Sequence, residues 1–171
     1  MSKYFHVLTI LLTVHFSLIG AVQKLGNVRL GGLFSIFDMK GNLISKGQQR
    51  MSGFLLAVDE INSNEELLPQ HKIKIFLEDT KYDKSKAFFA SIDMAKKGVD
   101  AVVGAQSSDE SYAAATVFSQ YSTVQISYSS TSASLSSKMN YRYFARSCPS
   151  DISQGIAMAA MVATHFKWCV R

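Results

Sequence analysis

The sequence predicts an α/β fold, a parallel sheet flanked by helices. Two observations carry that reading. Short apolar runs of strand length alternate along the chain with longer segments of helical periodicity. Hydroxyl-rich stretches directly follow two of the apolar runs, "AQSSDES" from Ala105 and "SSTSASLSS" from Ser129. In open α/β sheets ligands bind at the carboxyl ends of the strands, which is where such stretches would lie.

The elements follow in order. "NVRLGGLFSIF" is an apolar strand. "KGQQRMSGFLLAVDEINS" places Met51, Phe54, Leu55, Val58 and Ile61 on one helical face. "HKIKIFLED" alternates, with Ile73, Ile75 and Leu77 on one side of a strand. "DKSKAFFASIDMAKKG" is a helix ended by Gly98. "VDAVVGA" is a short buried strand, "SSDESYAAATVFSQYS" a helix and "TVQISYS" a strand. A loop then leads to a helix, "SDISQGIAMAAMVATHF", and a further strand is expected to begin at Trp168. This β-α-β-α-β-α-β order requires crossover connections, and therefore a parallel sheet covered by helices.

The composition narrows the function classes. With 171 residues, 47% of them apolar and 18% charged, the chain can fold around a core. The net charge of +5 comes from scattered basic residues, with no run or aromatic-interleaved patch, so no nucleic-acid partner is expected. "MSKYFHVLTILLTVHFSLIGAVQ" has one lysine, an apolar run from Val7 to Ile19 and small residues after it. That layout predicts a secretory signal peptide over residues 1–21. Secretion permits disulfides. The helix between Cys148 and Cys169 would hold its ends about 20 Å apart, beyond the roughly 7 Å a bridge allows, so no bridge is expected. No CxxC, His/Cys cluster or HExxH is present, and no metal or cofactor is expected.

Nor does the sequence carry a hydrolase. It has no G-x-S-x-G elbow. His71 and His165, the histidines outside the leader, fall at a strand start and late in a helix, away from the expected carboxyl edge. Catalysis would need a base beside a nucleophile there.

The hydroxyls have two readings. Ser107 and Glu110 fit the S-x-x-E capping box, which explains Ser107 without any ligand. Ser108 is not explained by the cap. The start of that helix also offers unpaired N–H groups suited to a carboxylate, provided that Asp109 and Glu110 are held away from it.

Together, "GQQRMSGFLLAVDEINSNEELLP", "GAQSSDES", "QISYSSTSASLSS" and "YRYFARSCPSD" resemble the extracellular ligand-binding region of class C G-protein-coupled receptors, of the metabotropic glutamate and GABA type B kind. The wider similarity is to type I periplasmic-binding-protein-like folds. The resemblance implies that residues 22–171 are lobe 1 of a bilobed clamshell, whose second lobe and membrane region lie outside this chain. It implies no enzyme, but a small amino-acid-like ligand held in the interlobe cleft. A receptor dimer through lobe 1 and a G protein coupled through the membrane domain are implied as well. Carried over by position, the implied ligand set is Ser107, Ser108, Ser129, Ser130 and Thr131. Ser108 would bind the ligand carboxylate, Ser129 would act through its backbone, and Thr131 would meet carboxylate and amine. Arg50 matches the arginine that pairs with a distal carboxylate in the glutamate receptors; a solvated helix arginine is its other reading. Lys46 gives no guidance, and the cysteine that those receptors carry near "EDTKYDKSKA" is missing. A transporter's solute-binding protein and the ectodomain of a guanylyl-cyclase or ionotropic receptor share the same fold.

Overall fold

The computed structural model describes residues 26–168. The expected signal peptide and Cys169 lie outside them. Five strands form one parallel sheet: β1 (Val28–Phe34), β2 (Ile73–Asp79), β3 (Ala101–Val103), β4 (Val124–Ser127) and β5 (Phe144–Arg146). Their spatial order is β2-β1-β3-β4-β5. Helices α1 (Ser45–Ser63), α2 (Lys84–Lys96), α3 (Ser108–Gln120) and α4 (Asp151–Thr164) alternate with the strands, and a 3₁₀ turn spans Ala133–Ser136.

The order is that of a doubly wound sheet whose direction of winding reverses between β1 and β3. Going from β1 to β2 the chain steps one way, and from β2 to β3 the other. Right-handed crossovers therefore put α1 on one face and α2 with α3 on the opposite face. On the α2–α3 face, Leu33, Met94, Val102, Ala114 and Phe118 form a closed cluster. On the α1 face, Phe34, Phe54 and Val58 pack with Leu30, Ile75, Leu77 and Tyr128. Each large side chain buried in this way contributes about 1.5–3 kcal/mol. Gly47 lets α1 approach β1 closely, since a Cβ there would stand 1.8 Å from the Ser35 carbonyl oxygen.

Three expectations differ from what is observed. β5 lies in a segment expected to be loop. Only three residues long, it is too short to show a period, and Phe144 alone anchors it against Leu135 and Ala115. Helix α4 forms where expected but covers nothing. None of its residues is buried, and Ile152, Ile156, Met158 and Met161 are all exposed. The link from β5 bonds along the carboxyl edge, through Ser147 N–H to Ser127 O at 3.0 Å and Asp151 N–H to Thr131 O at 2.9 Å, and the helix starts at that edge. Val124 and Ile126 of β4 are accordingly left open on the α1 face. Finally, Trp168, where a further strand is expected to begin, is not in a strand, and residues 169–171 lie outside the described residues.

Candidate functional site

The winding reversal leaves a crevice at the carboxyl ends of β1 and β3, and the polar loops gather there. The β3–α3 loop turns at Gly104, whose φ of +122° and position 2.3 Å (by a virtual Cβ) from Leu33 O admit no side chain. Ser107 caps α3 in a complete capping box.

Glu110 does more than close that box. It is fully buried, and both its carboxylate oxygens are used. One accepts from Ser107 N–H at 2.9 Å and from Ser107 Oγ at 2.7 Å. The other accepts from Ser35 Oγ at 2.9 Å and from Thr80 Oγ1. Ser35 follows β1, Thr80 follows β2 and Ser107 follows β3, so one carboxylate ties three strand ends together. No ion pair among the described residues involves it. Of the two charges expected to repel an anion, that of Glu110 is therefore turned inward and held by four donors, while Asp109 is exposed.

A second set of bonds stitches the β3–α3 loop to the loop after β4. Ser127 Oγ donates to Ala105 O at 2.8 Å and accepts from Ser130 N–H at 3.0 Å. Ser129 Oγ donates to Gln106 O at 2.6 Å. Ser130 Oγ donates to Ser107 O at 3.0 Å and pairs with Ser111 Oγ at 2.7 Å. Gln125, on β4, supports the β3–α3 loop through Gly104 O at 2.9 Å. At the surface, Ser132 N–H donates to Ser108 Oγ at 3.2 Å.

These bonds separate the five hydroxyl residues singled out in the sequence. Ser130 is fully buried, with hydroxyl and N–H both committed inside the lobe. Ser107 is committed to Glu110 and the cap. Ser129 leans on Gln106 and, at 3.3 Å, on Ser127. Ser108 and Thr131 remain half-exposed at the top of the crevice, joined through Ser132. Thr131 N–H and Oγ1 donate to no other described residue. The first N–H groups of α3, at Ser108 and Asp109, have no intrahelical partner by construction. Donors thus converge where a carboxylate could be held.

Arg50 packs on Tyr128, at the start of the loop after β4. Helix α1 begins at Ser45, so Arg50 sits one turn inside it and not at its opening. Its guanidinium lies 5.1 Å above the Tyr128 ring, which stacks on Phe34 with centroids 5.9 Å apart. Burial pushes the Tyr128 phenol far up from its ordinary value, although the Arg50 charge pulls the other way. Nη1 of Arg50 is buried and has no hydrogen-bond partner among the described residues. A buried donor of a cation without a partner is uncommon, because leaving it unmatched costs free energy. Lys46 is exposed. Among the described residues no cluster of three metal-ligating side chains occurs. Sequence reasoning missed Ser35, Thr80, Gln125 and Arg146. Of the buried network only Glu110 left a signal, as the acidic N3 residue of the capping box.

A family model described as the receptor family ligand binding region matches residues 49–169. The chain is 29% identical to a probable metabotropic glutamate receptor, mgl-1, of Caenorhabditis elegans, over 84% of its own length. It is 31% identical to the extracellular calcium-sensing receptors of Mus musculus and Homo sapiens, over 92% of its length. The chain spans 18% of the length of each of these relatives.

Proposed function

Because the chain belongs to the family of receptor ligand-binding regions, and its relatives are class C receptors rather than enzymes, we propose that it is the first lobe of an extracellular clamshell that binds a small amino-acid-like ligand. The observation that carries this reading is the pair of loops joined by Ser132 N–H and Ser108 Oγ, with the Thr131 N–H and the first N–H groups of α3 left to donate. The ligand carboxylate takes Ser108 and Thr131, and Ser129 borders it. Ser107 and Ser130 act by holding those loops in place.

Arg50 sets the ligand class. With Nη1 unmatched, it favours a ligand carrying a second acid over a neutral one or a metal cation. In the longer protein this lobe faces the outside of the cell, follows a signal peptide over residues 1–21, pairs with a second receptor subunit through lobe 1, and signals to a G protein through a membrane domain. No helix of the described residues is long and apolar enough to cross a membrane.

The test is made in the full-length receptor. Ser108→Ala and Thr131→Ala each remove a hydrogen bond to a charged group, so affinity for an acidic amino acid should fall about 10- to 150-fold. Arg50→Ala should weaken an acidic amino acid at least about tenfold and leave glycine or alanine nearly unchanged. Wild-type affinity in both hydroxyl variants, at equal cell-surface expression, would sink the assignment.

A further inference from the structure

Three successive carbonyls beneath the clamp are held in place. Ser130 O and Ser132 O accept from the same Nη1 of Arg146, at 3.0 and 2.9 Å. Thr131 O, between them, accepts from Asp151 N–H at 2.9 Å. Nη2 of Arg146 holds Ser136 Oγ, across the 3₁₀ turn. Arg146 ends β5, in register with Ser127 of β4, so the sheet fixes the root of this side chain. No ion pair among the described residues involves it. Its Nη1 donates to main-chain oxygens of the loop that carries Thr131.

The direction of those bonds matters because the peptide unit is planar and trans. In each unit the N–H points opposite to the C=O. The unit that contains Ser130 O also contains Thr131 N–H. Drawing Ser130 O down onto Arg146 turns Thr131 N–H the other way. The next unit shows the same logic: Thr131 O is held by Asp151 while its partner N–H, that of Ser132, reaches Ser108 Oγ.

We propose that Arg146 is a positioning residue of the ligand clamp, which aims the Thr131 amide at the ligand by holding the carbonyls on either side of it. It touches no ligand itself. The inference rests on the amino-acid reading of the site, and goes beyond it in naming what orients Thr131. A lysine at 146 could hold one carbonyl but could not also grip Ser136, since it lacks the fork of donors.

The experiment uses the isotope-labelled 171-residue chain, as wild type, Arg146→Ala and Arg146→Lys, titrated with L-glutamate to high millimolar concentration and followed at individual backbone amides. In the wild type the Ser108 and Thr131 amides should both shift. In Arg146→Ala the Thr131 response should vanish while Ser108 still responds, with affinity about tenfold weaker, as for one lost hydrogen bond to a charged group. Arg146→Lys should recover part of both. Without ligand, hydrogen exchange at Ser132 should quicken in Arg146→Ala, and to a lesser degree in Arg146→Lys, because its bond to Ser108 loosens. An Arg146→Ala chain with wild-type affinity, Thr131 response and Ser132 exchange overturns the proposal. If the wild type shows no response at Ser108 or Thr131, the amino-acid reading fails instead. Ser132 exchange then decides the part of Arg146 alone: unchanged exchange overturns it, and faster exchange supports it. Should the alanine variant not fold, the lysine variant carries the same comparison.

Discussion

Glu110→Ala tests how much of this lobe hangs on one buried carboxylate. The substitution removes the acceptor of four donor bonds, from Ser35 Oγ, Thr80 Oγ1, Ser107 N–H and Ser107 Oγ. Not all four are then stranded. Ser35 and Thr80 lie 3.0 Å apart and can satisfy each other in part, which leaves one buried hydroxyl proton without an acceptor. Ser107 is half-exposed, so water reaches its N–H, and its Oγ still caps α3 through Glu110 N–H. One buried and one partly buried donor, at about 1–3 kcal/mol each, give an expected loss of about 2–5 kcal/mol. With a slope of about 2 kcal/mol per molar urea for a chain of this size, the unfolding midpoint should fall by about 1–2.5 M.

Glu110→Gln is the control. Its amide oxygen can serve Ser107, while its NH₂ donates to the hydroxyl oxygens of Ser35 or Thr80, which rotate to accept. The loss should stay near about 1 kcal/mol. Urea titration followed by circular dichroism measures both variants. Equal losses for alanine and glutamine, or a loss below about 1 kcal/mol for alanine, would refute the reasoning that hydrogen bonding at this carboxylate joins the three strand ends.

Further predictions concern the backbone, the pH response and the isolated chain. Gly104→Ala should destabilise the fold by about 3 kcal/mol or more, because its Cβ would lie 2.3 Å from Leu33 O at a φ of +122°; a melting temperature within a degree or two of wild type would contradict this. Tyr128 keeps its proton in the folded state at pH values where the unfolded chain, at about 10, has released it. The contribution is thus complete below about pH 10 and is lost as pH rises beyond it, so wild-type stability should decline more steeply above pH 10 than that of Tyr128→Phe. Urea midpoints measured between about pH 9 and 11 would show parallel curves if that is wrong. Residues 22–171 alone should bind L-glutamate no tighter than about millimolar, since a ligand on one open lobe forfeits much of its contact area; submicromolar binding by calorimetry would contradict it.

Several features were legible in the sequence because their causes are local. The alternation of Ile73, Ile75 and Leu77 follows from the pleat of a strand, and Ser107 with Glu110 marks a helix start wherever the chain goes afterwards. The parallel sheet follows from the order of the elements, because strands joined by helices have few ways to pair. The two hydroxyl-rich loops could be placed at the carboxyl edge for the same reason. What no pattern contained was the division of labour among the hydroxyls. Ser129, Ser130 and Thr131 are neighbours of similar chemistry, yet Ser130 is sealed inside the lobe, Ser129 bonds to Gln106 and Thr131 stays half-exposed. That choice is made by Arg146, Ser107, Gln106 and Asp151, each between 16 and 23 residues away from its partner among Ser129, Ser130 and Thr131. The second role of Glu110 is hidden for the same reason, since Ser35 and Thr80 stand 75 and 30 residues away along the chain. Periodicity records which face of an element is buried. Which polar group meets which across elements depends on the register and strand order of the folded sheet, and becomes definite only when the chain is closed on itself.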